Sequence, residues 1–135
     1  MAILIKLFEN KFGNTKTRGK WFAKTIKRGE AGISELAERV QENTTFKKGE
    51  VQGLIVELVD EMRQLLQDGQ TVNLEGFGRF HLSVETNSVE RPEDFRIQRD
   101  ITAVKCKFVP AGHRVGKTGR IVQVLAKGAK VERLK

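Results

Sequence analysis

This chain offers little to cross-link, to chelate or to cross a membrane. Its one cysteine, Cys106, excludes an intrachain disulfide and a cysteine-based zinc site. Cys106 lies in an alternating apolar pattern, which predicts a buried free thiol. The only histidines, His81 and His113, have no acidic or cysteine neighbours at metal-ligand spacing. Neither has a Ser or Cys partner in a recognisable arrangement for nucleophilic catalysis. No apolar run approaches the roughly 20 residues of a membrane span. The apolar start, Met1 to Phe8, is broken by Lys6 and is too short for a signal peptide. These absences predict a cytoplasmic protein that is not an enzyme, with no cofactor, no metal, no membrane partner and no small-molecule substrate.

Gly116-Lys117-Thr118 has the look of a phosphate-binding loop, but that loop needs a glycine where Ala111 stands, and no buried strand leads into it. The acids Glu93 and Asp94 follow Pro92. Proline at a first helical position with acids behind it reads as a helix start rather than an acid–base pair.

Charge, by contrast, is abundant and unevenly placed. The formal net charge is +8 over 135 residues. Residues 1–30 hold eight Lys/Arg against two acids, 31–90 five against eleven, and 91–135 twelve against four. An acidic middle between basic flanks suggests that the flanks address a polyanion, though a solvated basic surface gives the same numbers. The length suits one hydrophobic core.

The chain is organised around Thr71 to Leu82, TVNLEGFGRFHL. Val72 and Leu74 alternate with polar neighbours, Gly76-Phe77-Gly78 interrupts, and Phe80, Leu82 and Val84 resume the alternation. That predicts strand, tight reversal, strand, with Phe77 and Phe80 directed inward. Upstream, Ile33 to Asn43 and Lys48 to Asp68 have helical spacing. Gly32 with Glu35 can form half a capping box; Phe46 and Val51 fit a hydrophobic staple around Lys47, a poor cap with Glu50 at the third position, and Gly69 supplies a stop. The stripe through Val51, Leu54, Ile55, Leu58, Val59, Met62, Leu65 and Leu66 is wider than one small helix can cover. Either the first helix and a sheet bury it, or a second copy does.

Ahead of the helices, residues 2–9 and 21–27 alternate as two strands joined by a polar loop, Lys11 to Lys20. Trp21 could stack on a base, but a lone tryptophan in such a strand is more often core. Lys20, Lys24, Lys27 and Arg28 could touch phosphate or form a charged edge against aggregation. After the second alternating strand, Val104, Cys106 and Phe108 return on one face. Ala103, Lys105, Lys107 and Val109 lie on the other, so both lysines can point at one duplex. Ile121, Val122, Val124 and Leu125 predict a short C-terminal helix, and Ala129 to Lys135 a solvated tail.

The order helix, glycine stop, short strand, Gly-Phe-Gly, long strand, returning strand and Phe108-Val109-Pro110 resembles the HU/integration host factor family of bacterial DNA-binding proteins. The resemblance covers Gly32 to about Pro110. The extra hairpin is similar to that of the longer HU-like proteins of Bacteroidetes. The resemblance implies an α+β fold. Two helices precede a three-stranded antiparallel sheet with a β-arm, in an intertwined dimer with an added N-terminal β-hairpin. It divides the chain into 1–30 (hairpin), 31–110 (HU-like core with arm) and 111–135 (basic helix and tail). The implied dimer core includes Leu54, Leu58, Met62, Phe77 and Phe80. The implied DNA-binding set is Arg96 and Arg99 near the arm tip, Lys105 and Lys107 on the arm, and Arg114, Lys117 and Arg120 in the flank after it.

The function so implied is sequence-tolerant binding and compaction of double-stranded DNA by a homodimeric, histone-like nucleoid protein, mainly through phosphate contacts. The chain departs from the family where Ser83 and Glu85 replace arm arginines and where Pro92 opens a helix instead of forming a loop-tip wedge. The alternative is an HU-like dimeric assembly module with little DNA affinity. RNA binding fits the charge, but sequence alone shows no exposed stacking aromatics on a recognisable sheet motif.

Overall fold

The computed structural model describes residues 1–13, 16–117 and 119–134. Helices and sheets are mixed, as an α+β chain requires. In order they are β1 (Ile3–Glu9), β2 (Trp21–Ile26), α1 (Ile33–Asn43), α2 (Lys48–Gln67), β3 (Val72–Leu74), β4 (Gly78–Thr86), α3 (Ile97–Asp100), β5 (Ile101–Pro110), β6 (Gly112–Arg114), β7 (Ile121–Gln123) and β8 (Val131–Arg133). Single 3-10 turns occupy Pro92–Asp94 and Val124–Ala126. The chain forms two units, Met1–Leu36 with Gly128–Lys135, and Ala37–Lys127.

In the first unit β1 and β2 pair antiparallel as the alternation predicts, with Lys6 opposite Lys24 and Phe8 opposite Phe22. The other edge of β1 is filled by β8, parallel, with Ile3 opposite Val131. The Ile3 N–H donates to the Lys130 carbonyl at 2.8 Å and the Leu134 N–H to the Ile5 carbonyl at 2.9 Å. This corrects the expected solvated tail. An open strand edge presents unpaired N–H and C=O groups, and Val131-Glu132-Arg133 satisfies them. Lys135 of that tail, and Asn14 and Thr15 of the long loop, lie outside the described residues.

Trp21 is also not a core residue. It is 65% exposed at the start of the edge strand β2, opposite Glu9. Phe8 and Phe22 are exposed too, so the aromatics that the sequence did not reveal on a sheet surface are present.

The predicted helices form with nearly the expected limits, α1 beginning in the first unit and α2 lying in the second. The α1–α2 turn is closed by side chains: the Thr44 hydroxyl donates to the Val40 carbonyl at 2.7 Å, and the Lys48 N–H donates to Gln41 Oε1 at 2.6 Å. At the start of α2 the Glu50 carboxylate accepts the Lys47 N–H at 3.3 Å. The lysine ammonium cannot accept in return, so only half of the box operates. α2 ends in a Schellman arrangement. Gly69, at φ +85°, donates to Leu66, and Gln70 donates to Leu65.

Strands β3, β4 and β5 make an antiparallel sheet in that order. The Gly-Phe-Gly reversal turns on Gly76 at φ +80°, with the Phe77 N–H donating to the Leu74 carbonyl at 2.9 Å. Gly78 is required by close approach. A Cβ there would run into the Phe108 ring and lie 2.6 Å from the Val109 carbonyl. Phe77, Phe80 and Phe108 cluster, with centroids 4.8 to 5.9 Å apart.

The predicted C-terminal helix is absent. Residues 112–114 and 121–123 form a β-hairpin instead, with His113 opposite Val122 and Arg114 opposite Ile121. The spacing of Val124 and Leu125 that looked helical belongs to the 3-10 turn after it. Among the described residues the buried apolar side chains are Ala37, Val51, Leu66 and Val72. This is a thin core for a chain with so wide an apolar stripe on α2.

Candidate nucleic-acid interface

The β4–β5 ladder has two chemically different faces. Its register places Phe80 opposite Phe108, Leu82 opposite Cys106 and Val84 opposite Val104 on one face. On the other, Arg79 lies opposite Val109, His81 opposite Lys107 and Ser83 opposite Lys105. Alternation of successive side chains makes this split unavoidable once the register is set.

The apolar face looks toward α2 across a groove of about 490 Å³. Leu58, Met62, Phe77 and Phe80, four of the five residues expected in a dimer core, line it together. Leu54, the fifth, is not in the groove and is 60% exposed on α2. Phe77 is still 40% exposed. Cys106 also lines the groove and is exposed, which corrects the expected buried thiol: within one chain, α2 does not close over the sheet far enough to reach it.

The polar face carries the cations. Lys105 and Lys107 share it, as their spacing predicts, but sequence reasoning missed that Arg79 and His81 share it too, His81 across from Lys107 and Arg79 across from Val109. The signal was present in the alternation Arg79-Phe80-His81-Leu82, where an inward Phe80 forces Arg79 outward. Lys105 is engaged by Glu85, Nζ to Oε1 2.5 Å, a diagonal pair with both side chains about half exposed. Among the described residues nothing pairs with the Arg79 guanidinium or the Lys107 ammonium. A second recess of about 490 Å³, lined by Asn73, Arg79, Val109, Gly112 and Ile121 among others, links this face to the base of the β6–β7 hairpin. Arg114 ends β6, Arg120 immediately precedes β7, and Lys117 lies in the connection between them. The three cations therefore decorate a hairpin rather than a helix. Thr118, the third residue of the Gly-Lys-Thr sequence, lies outside the described residues.

The arm tip is held by its own side chains. Asp100, 3% exposed, accepts the Arg96 N–H at 2.8 Å and the Arg99 guanidinium at 2.9 and 3.1 Å. Arg99 also donates to the Asp94 carbonyl at 2.7 Å, and Arg96 to the Glu93 carbonyl at 3.3 Å. The hydrogen bonds from Arg99, then the Arg96 N–H, hold the Asp100 carboxyl below the usual carboxylate range against the opposing effect of desolvation. Arg99 is thus a structural cation whose charge is largely answered within the chain. Arg96 keeps more of its guanidinium free. Pro92 begins the 3-10 turn, as its neighbours predict, and Arg91 braces that turn on Asp94 at 3.3 Å. Asp100, which organises the tip, carried no signal in the sequence beyond its adjacency to Arg99. At the root of the tip, Thr102 is an extra residue opposite Glu85–Thr86. Its hydroxyl donates to the Glu85 carbonyl at 3.1 Å, as a β-bulge allows.

Among the described residues no cluster of three or more His, Cys, Asp or Glu could hold a metal ion, and no helix is long and apolar enough to cross a membrane.

The chain is similar to known proteins on two levels. Integration host factor subunit alpha of Alkalilimnicola ehrlichii is 41% identical over 49 residues, and that of Saccharophagus degradans 39% over the same length. Those matches cover 36% of this chain, and the chain spans about half the length of these relatives, 48% in each. A crystal structure of a Bacteroides vulgatus protein, described provisionally as a bacterial DNA-binding protein, superposes with a TM-score of 0.64 at 14% identity. It covers 98% of this chain and 48% of that one, and shows a shared fold. Residues 1–131 match the model of the HU-HIG family, described as an HU domain fused to wHTH, Ig, or glycine-rich motif, and the chain belongs to that family.

Proposed function

We propose that this protein is a nucleoid DNA-binding protein that engages double-stranded DNA without strong sequence preference and compacts it as a homodimer. The observation that carries the proposal is the outer face of β4–β5, where Arg79, Lys107 and Lys105 converge and continue toward Arg114, Lys117 and Arg120 on the β6–β7 hairpin. Cations on a sheet surface contact phosphates, which fix position and carry no base information. The names of the integration host factor relatives, and family membership, support the same reading.

The dimer rests on the apolar groove and on Leu54, Leu58 and Val59, all exposed on α2. Burying each such side chain contributes about 1.5–3 kcal/mol. A second copy presenting the same stripe supplies matching apolar surface, since a two-fold interface is self-complementary.

The test is fluorescence anisotropy with an unrelated pair of duplexes across a salt series. Both duplexes bind with similar affinity, and each phosphate contact adds about −0.9 to the slope of log affinity against log salt. Lys105→Gln with Lys107→Gln weakens both duplexes alike and flattens the slope. A second reading, an assembly module with little DNA affinity, draws on Glu85, whose carboxylate answers Lys105 on the same face. No duplex binding at low salt by a protein that is dimeric in sedimentation establishes that reading instead.

A further inference from the structure

We infer that the β2-β1-β8 sheet is a binding platform for single-stranded polynucleotide, separate from the duplex-binding face proposed above. The site is the face bearing Phe8, Phe22, Lys6 and Lys24.

Register and alternation put these four side chains together. Lys6 lies opposite Lys24 and Phe8 opposite Phe22, so two cations and two rings share one side of two neighbouring strands. The Lys24 Nζ stands 5.5 Å from the Phe8 centroid and 5.3 Å from the Phe22 centroid, and the Lys6 Nζ 6.0 Å from the Phe8 centroid. Both rings are 40% exposed. The opposite face carries Ile3, Ile5, Leu7, Ala23 and Val131 together with Glu9, Trp21, Thr25 and Arg133. Only the first face brings two rings and two ammonium groups into contact. At the end of the hairpin, a recess of about 320 Å³ lined by Asn10, Thr17, Lys20, Trp21 and Phe22 brings the Lys20 side chain beside the second ring, with the Asn10 amide donating to the Thr17 hydroxyl at 3.1 Å.

Exposed rings flanked by lysines on a sheet match what an unpaired strand presents. Its bases are free to stack on aromatic faces, and its phosphates follow at every nucleotide. Duplex DNA, with its bases already stacked on one another, cannot use the rings. An exposed cation–π contact is weaker than a base–aromatic stack, so an arriving base displaces the ammonium, which then meets a phosphate. The cluster is charge-complementary to this occupant, since residues 1–30 hold eight Lys/Arg against two acids. Glu132 shares this face beside Leu4, and the cations and rings lie further along β1 from that pairing. The strand's track therefore runs over the Phe8–Phe22 end and away from Glu132.

The experiment uses the full chain and dye-labelled oligothymidylate and oligouridylate of equal length, in anisotropy titrations with and without saturating unlabelled duplex DNA. The two probes separate a DNA source from an RNA source of the same chemistry. Single-strand binding is expected to persist under saturating duplex. Phe8→Ala with Phe22→Ala lowers it by roughly tenfold for each ring and leaves duplex affinity unchanged. Lys6→Gln with Lys24→Gln, which keeps both rings, lowers it less and flattens the salt slope by about 0.7 for each phosphate no longer neutralised. Lys105→Gln with Lys107→Gln reduces duplex binding only, so failure here and failure of the duplex proposal give different patterns. Trp21 emission and circular dichroism report whether each variant keeps its fold. The inference is overturned if folded ring and lysine variants bind single strands like the wild type. It is also overturned if duplex competes the single strand away completely, or if vesicles of anionic lipid, and not oligonucleotides, lose affinity with the ring variants.

Discussion

Glu85 and Lys105 face each other diagonally across β4 and β5, carboxylate to ammonium at 2.5 Å, on the face that also carries Arg79 and Lys107. Both side chains are about half exposed, so the pair adds little to stability, within about 0–1 kcal/mol. Its larger effect is on Lys105, which must leave a carboxylate before it can meet a phosphate. Glu85→Gln should tighten duplex binding about two- to fivefold and steepen the salt slope by about 0.9, with little change in melting temperature. Unchanged affinity across a salt series would show that Lys105 takes no part in binding.

Arg79 should matter as much as either lysine, because nothing in the described chain competes for its guanidinium. Arg79→Gln is expected to weaken all duplexes by a similar factor and to flatten the salt slope by about 0.9. Arg99→Gln should act differently: it frees the arm tip first and lowers affinity only secondarily. Amide exchange at Asn87, whose N–H donates to the Asp100 carbonyl at 2.8 Å, distinguishes the two variants.

The arm tip should also respond to acid. The hydrogen bonds from Arg99, followed by the Arg96 N–H, hold the Asp100 carboxyl below its usual range. A depressed folded value means the contribution is complete above the unfolded carboxylate value of about 3.9 and is lost as pH falls through the folded one. Exchange at Asn87 and Arg96 should therefore stay slow through mildly acidic pH and accelerate only below the ordinary carboxylate range. Asp100→Asn should remove this pH dependence and leave the tip loosened at every pH. A carboxyl that titrates near 3.9 by NMR would contradict the account.

Phe77→Ala gives a test of the dimer. In one chain the ring is 40% exposed, and truncation should cost well under the about 3–5 kcal/mol of a fully buried phenylalanine. If a second copy closes the groove, the full loss appears, and it appears as a concentration-dependent melting temperature. Sedimentation of the wild type at micromolar concentration as a folded monomer would refute the dimer.

Pro92 sits at the first position of a 3-10 turn braced by Arg91 and Asp94, with Glu93 beside it. A wedge between base pairs must be apolar and must reach the stack. Pro92→Ala should change stability slightly and leave the end-to-end approach of a dye-labelled duplex unchanged in energy transfer at saturation. A wild type that bends sharply and a variant that does not would restore the wedge.

What could be read from the sequence was what local periodicity encodes. α1 and α2 repeat their apolar residues at helical steps, β4 and β5 alternate, and Gly76 and Gly78 mark a reversal that other residues could not make. What failed was decided by distant partners. Val131-Glu132-Arg133 has no strand signal of its own and becomes one because β1 leaves an edge open. Ile121-Val122 lies within an apparent helix until Gly112–Arg114 pairs with it. Trp21 and Cys106 were expected inside because alternation tells which residues share a face, but not whether anything covers that face. Among candidate site residues, spacing gave Lys105 and Lys107 a shared face, and the family resemblance gave them their expected role. Arg79 needed the register, and the commitment of Arg99 to Asp100 needed the turn geometry that brings a side chain back onto its neighbour.

The pairing of β1 with β8 has a kinetic side. Ile3 meets Val131 across a long stretch of chain, whereas every pair in the β1–β2 hairpin is comparatively local. Closing so long a loop is slow relative to local contacts, and during synthesis it must wait until β8 has left the ribosome. The hairpin therefore spends its early life as two strands with an unfilled edge. Its third strand is synthesised only after the helices and the arm.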